Sequence, residues 1–132
     1  MKISKKEDYG LIFMSVLARK YSKDFVSLVS VAKETNLSSL FLKHLASVLL
    51  KDKLIESKEG VNGGYRLTRN PRNINMGEIM KAISEGMIIP SCKGHICKLK
   101  KAKCACFSLW NKVNDKVFKY LSDMKLSDFS SL

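Results

Sequence analysis

Between Ser27 and Thr68 the hydrophobic pattern changes period once, from helical to alternating, and few folds accommodate that order of elements. Ser27 can cap a short helix through Thr35, Asn36 suits the turn that ends it, and Ser38 can cap a second, longer helix. In that second helix Leu42, Leu45, Ala46 and Leu49 recur at three- and four-residue steps and make one apolar stripe. Two helices joined by about three residues form a helix-turn-helix. Leu54-Ile55-Glu56-Ser57 and Tyr65-Arg66-Leu67-Thr68 then read as strands, and the stretch from Lys58 to Gly64 holds three glycines for the loop between them. A hairpin placed directly after a helix-turn-helix is a wing.

The flanking segments complete a small domain. Ser4-Lys5-Lys6-Glu7 is a capping box that opens a helix to about Tyr21, with Tyr9, Ile12, Phe13, Val16 and Leu17 on its apolar side. Asp8 stands in its first turn, where the helix dipole favours a carboxylate. Asn75-Met76-Gly77-Glu78 caps a further helix with Met76, Ile79, Met80 and Ile83 inward, which Gly86 and Pro90 end. Beyond residue 106, Trp110, Val113, Val117, Tyr120, Leu121 and Met124 return at helical spacing, with Lys112, Lys116 and Lys119 opposite. At 132 residues the chain has the length of one domain.

The expected fold is therefore mainly α with a small β-hairpin wing. A winged helix-turn-helix domain occupies 1–90, a cysteine-rich loop 91–106, and a long C-terminal dimerisation helix with its tail 107–132. A long apolar stripe appended to a complete winged domain is best buried against its twin, which gives a homodimer and a roughly palindromic binding site.

Charge names the partner class. The chain carries 24 Lys and Arg against 12 Asp and Glu, a formal +12, which favours a polyanion. Double-stranded DNA is expected rather than a membrane: apolar runs such as Leu45 to Leu50 are too short to span one, Met1 to Lys6 lacks the apolar core of a secretion signal, and the chain is expected in the cytoplasm. Ser38, Ser39, Leu40, Lys43 and His44 on the second helix are the candidates for the major groove. Lys58, Asn62, Gly63 and Arg66 on the wing are candidates for the backbone or minor groove. An enzyme is not expected: no Cys-x-x-Cys follows a strand, no glycine-rich phosphate loop is present, and His44 and His95 sit near no triad.

The four cysteines read Cys92-x4-Cys97-x6-Cys104-x1-Cys106, a spacing unlike the paired knuckles of most structural zinc sites. Lys93, Lys98, Lys100, Lys101 and Lys103 lie among them with no acid between, and their charge offsets that of thiolates. An iron-sulfur cluster is the first expectation, since it is wider than a single ion and takes ligands from several directions. Zinc and metal-free thiol chemistry are the alternatives.

With GVNGGYRL, Arg69-Asn70-Pro71, the helix Met76 to Ile83 and CKGHICKLKKAKCACFSLW in view, nearly the whole chain resembles the Rrf2 family of bacterial regulators. The resemblance implies a 2Fe-2S or 4Fe-4S cluster on Cys92, Cys97 and Cys104, with iron-sulfur status, nitric oxide or redox state as the signal. The sequence departs from the family at the fourth ligand. Phe107 stands where the iron-sulfur-biogenesis members carry a histidine, whereas Asp8 occupies the place from which nitric-oxide-sensing members lend a carboxylate to the partner subunit. Asp8 is the first choice, Cys106 the second and His95 the third. Glu59 replaces a common wing arginine, and Lys43 and His44 differ from the commoner acidic recognition-helix residue, so no relative's target sequence carries over.

Overall fold

A computed structural model of the chain describes residues 3–22, 24–84 and 104–130. Helix α1 (Lys5–Arg19) starts where the capping box places it, with the Glu7 carboxylate accepting from the Ser4 N–H at 3.0 Å. Phe13, Met14, Val16 and Leu17 are fully buried on one side of it, while Ile12, one step round the helix, is 41% exposed.

Helix α2 (Leu28–Thr35) begins with the Ser27 hydroxyl accepting from the Ser30 N–H at 3.1 Å. It ends at Asn36, which takes the left-handed conformation at φ 58° as the turn requires. Ser38 accepts from the Phe41 N–H and starts α3 (Ser39–Lys51), whose Leu42, Leu45, Ala46 and Leu49 are all fully buried. Each such leucine contributes roughly 1.5–3 kcal/mol by leaving water. An ion-pair clasp ties α2 to the end of α1, with Arg19 and Lys20 reaching Glu34 at 2.8 and 2.9 Å.

Strands β1 (Ile55–Lys58) and β2 (Gly64–Leu67) pair antiparallel in the register Ile55↔Leu67, Glu56↔Arg66, Ser57↔Tyr65 and Lys58↔Gly64. Both are displaced by one residue from the spans expected, because Gly64 rather than Tyr65 begins the ladder. Tyr65 also bonds the segment before α2: its N–H donates to the Val26 carbonyl and its carbonyl accepts from the Val26 N–H, both at 2.8 Å. The Tyr65 ring meets Phe13 edge-on at 6.3 Å, which seats the wing on α1.

Helix α4 (Met76–Ile83) carries the second capping box, Asn75 with Glu78, and buries Met76, Ile79, Met80 and Ile83. Gly86 and Pro90 lie outside the described residues. Helix α5 (Ala105–Ser122) has no buried residue, and Tyr120, on the stripe expected to pack against a second copy, is 67% exposed in the single chain. Its far end returns to the domain, for the Met76 N–H donates to the Met124 carbonyl at 2.8 Å and the Leu126 N–H to the Ile74 carbonyl at 2.9 Å. Leu126 is fully buried in the same core as Phe13 and Leu45, with Leu121, Met124 and Phe129 packed beside it. No described helix is long and apolar enough to cross a membrane.

Candidate nucleic-acid interface

The groove-reading candidates share one surface. Ser39, Leu40, Lys43 and His44 all lie on the exposed side of α3, opposite the buried Leu42 and Leu45, because residues three and four apart on a helix are neighbours. Lys43 and His44 hold no ion pair or hydrogen bond among the described residues, which leaves their polar groups for a partner. Ser38 has a local task as well, since its hydroxyl caps α3.

The wing residues divide into two groups. Lys58 and Asn62 are exposed, and Asn62 sits at φ 66° in the loop between the strands, a conformation its short polar side chain tolerates. Gly63 closes that loop, its N–H donating to the Gly60 carbonyl at 3.0 Å, and a Cβ there would lie 2.2 Å from the Lys58 carbonyl oxygen. Arg66 is half-buried: its Nε is 2.5 Å from the Glu56 carboxylate across the strands, and its guanidinium lies 4.3 Å from the Phe25 ring centroid. In this conformation Arg66 braces the hairpin. Lys58 Nζ lies 5.9 Å from the centroid of the same ring.

Phe25 and Val26 are therefore site residues that sequence reasoning missed. Together they fix where the wing stands, one by cation–π contact and the other by main-chain pairing. The only sequence signal is an aromatic and a β-branched residue just before the Ser27 cap, too short a run to show a period.

Of the proposed cluster ligands, Cys92, Cys97 and His95 lie outside the described residues, as do the lysines among them. Cys104 is the N-cap of α5, half-exposed, and its thiol makes no capping hydrogen bond. Cys106 is an exposed free thiol two residues on, in the first turn of α5. Asp8 is exposed in the first turn of α1. Among the described residues no three His, Cys, Asp or Glu side chains gather into a metal site. The thiolate-rich donor set is chemically suited to an iron-sulfur cluster, with the Cys104 thiol making no capping hydrogen bond at the end of α5.

Comparison with known proteins identifies the family. The Rrf2 family profile, described as an iron-dependent transcriptional regulator, matches residues 3–131. The HTH-type transcriptional regulator CymR of Bacillus subtilis is 37% identical over 131 residues, 99% of this chain and 91% of its own length. Its solved structure, described as that of the global cysteine regulator, superposes with a TM-score of 0.74 at 36% identity, covering 99% of this chain and 97% of that one. The T. potens IscR structure gives 0.75 at 33% identity over 97% and 85% of the two chains. Staphylococcus aureus CymR in its oxidized form gives 0.73 at 31%, over 100% and 98%. With an unengaged polar face on α3, a wing anchored beside it and this family match along the chain, the protein belongs to the Rrf2 family and is a DNA-binding transcription regulator.

Proposed function

We propose that the protein acts as a homodimer on a roughly palindromic DNA operator, and that an iron-sulfur cluster on Cys92, Cys97 and Cys104 sets its operator affinity. The observation that carries this reading is the placement of Cys104 at the N-cap of a helix whose other end is seated in the winged domain. At 18 residues α5 is about 27 Å long, so a ligand held at Cys104 has a stiff lever onto the start of α4. When bound, the cluster supplies iron that exchanges electrons or ligands with a small-molecule signal.

The chain's own part is positional. Asp8 of the partner subunit would hold the cluster as its fourth ligand, and a hard carboxylate on a soft cluster would be held more weakly than the three thiolates. Moving α5 relative to α1 of the partner resets the spacing of two recognition helices. A tenfold change in operator affinity needs only about 1.4 kcal/mol of differential preference between the two states. The dimer is supported by the unburied stripe of α5 and by an adjoining apolar groove of about 510 Å³ lined by Leu11, Ile12, Leu121, Met124 and Phe129.

The test is anaerobic purification followed by iron, sulfide and zinc analysis, an absorption spectrum, and operator titration with and without the cluster. Iron and sulfide in near-equal amounts, lost together with regulated DNA binding when Cys92, Cys97 and Cys104 become serine, are expected. Cys106→Ser should keep both, since the three ligands assigned to the cluster are Cys92, Cys97 and Cys104. Regulated binding that survives the triple substitution rejects the sensor.

A second reading, a metal-free thiol switch or zinc staple, is favoured by the likeness to CymR and by Phe107 in place of a histidine ligand. It requires anaerobic protein with zinc or no metal. For the switch, operator affinity then falls or rises with a thiol oxidant and recovers with a reductant.

A further inference from the structure

On the recognition surface one side chain is chemically unlike its neighbours. Leu40 is 79% exposed in the first turn of α3, on the same side as Lys43 and His44, and no described residue covers it. A large apolar side chain on that face has neither a hydrogen-bond donor nor an acceptor to offer a phosphate. The first turn of a recognition helix is the part that meets base edges, and the only apolar group displayed in the major groove is the 5-methyl of thymine.

We propose that Leu40 is a specificity-determining residue that reads a thymine 5-methyl group in each half-site. The assignment rests on α3 being the recognition helix. Leucine burying that methyl favours thymine over cytosine at one position, because cytosine presents only a C5 hydrogen where thymine carries the methyl. Ser39, Lys43 and His44 flank it and supply the polar contacts, so the preferred thymine lies inside the half-site rather than at its edge. One methyl withdrawn from water corresponds to about a fourfold change in affinity, and about sixteenfold when both half-sites of a dimer are changed.

The experiment uses the full-length protein. A pool of random duplexes is first selected for binding, and each thymine of the winning duplex is then replaced by deoxyuridine, which removes the methyl and keeps pairing and the minor groove intact. The expected result is one thymine per half-site whose replacement weakens the wild-type protein by about fourfold, while Leu40→Ala binds both duplexes equally. Leu40→Ala should melt with the wild type, because the side chain is exposed in the free protein. Wild-type binding that tolerates deoxyuridine at every position, or Leu40→Ala losing the same factor as wild type, overturns the assignment. A protein that enriches no duplex overturns the recognition-helix reading itself, and the assignment with it.

Discussion

Substituting Gly64 with alanine should detach the wing. Gly64 has φ 142°, and a Cβ added there would lie 2.2 Å from the Val26 carbonyl oxygen, 2.4 Å from its carbon and 2.7 Å from the Ser27 nitrogen. All three are main-chain atoms, so no side-chain rotation relieves the clash. β2 must instead move away from Val26, at the expense of the two hydrogen bonds of 2.8 Å between Val26 and Tyr65. Those contribute about 1 kcal/mol each. A residue other than glycine at positive φ adds about 2 kcal/mol, for a total near 4 kcal/mol. With a urea slope of about 2 kcal/mol per molar, the unfolding midpoint should fall by roughly 2 M. DNA affinity of the fraction still folded should fall as well, since the wing no longer stands beside α3. Gly60→Ala is the internal control: its φ is 92°, but a Cβ there meets nothing within 4 Å, so only the conformational cost applies. A Gly64→Ala midpoint within about 0.5 M of wild type would show that the main-chain bridge does not hold the wing.

Glu34→Gln should cost less than about 1 kcal/mol near neutrality, because the clasp is solvent-exposed. Hydrogen bonds from Arg19 and then Lys20 hold the Glu34 carboxyl below its ordinary value, so its contribution is present above the usual glutamate range and disappears as pH falls through the lowered folded-state value. Thermal melts of both proteins from neutral to strongly acidic pH should converge at the acid end, and a gap that persists there contradicts the assignment. Val117→Asp places a charge on the half-buried stripe of α5 and should yield a folded monomer with weakened operator binding in sedimentation and titration. A Val117→Asp protein that remains dimeric moves the interface off α5.

Much of the local structure is readable without coordinates because its causes are local. The caps at Ser27, Ser38 and Asn75, the left-handed Asn36 and the stripe Leu42–Leu45–Ala46–Leu49 each depend on residues within two turns of one another, and each sits where the pattern puts it. The unengaged face of α3 follows from the same period, which is why Ser39, Leu40, Lys43 and His44 share a surface. The wing's position does not follow. Val26 and Tyr65 are far apart in the chain, and their main chains meet through tertiary packing that includes Phe13 against Tyr65 and the Phe25 ring beside Arg66. Arg66 is a phosphate-contact candidate in one dimension, and its pairing with Glu56 and Phe25 across the hairpin is supplied only by the fold.

Helix α5 separates the two kinds of knowledge. Its apolar repeat announces a helix, but the repeat alone cannot say which surface answers it, since burial belongs to a pair of surfaces and a sequence describes one. Folding assigns Leu121, Met124 and Leu126 to the chain's own core, whereas Tyr120, from the same repeat, faces solvent. Short-range hydrogen bonding and helical period settled the identity of the elements here, and long-range packing decided where each one stands.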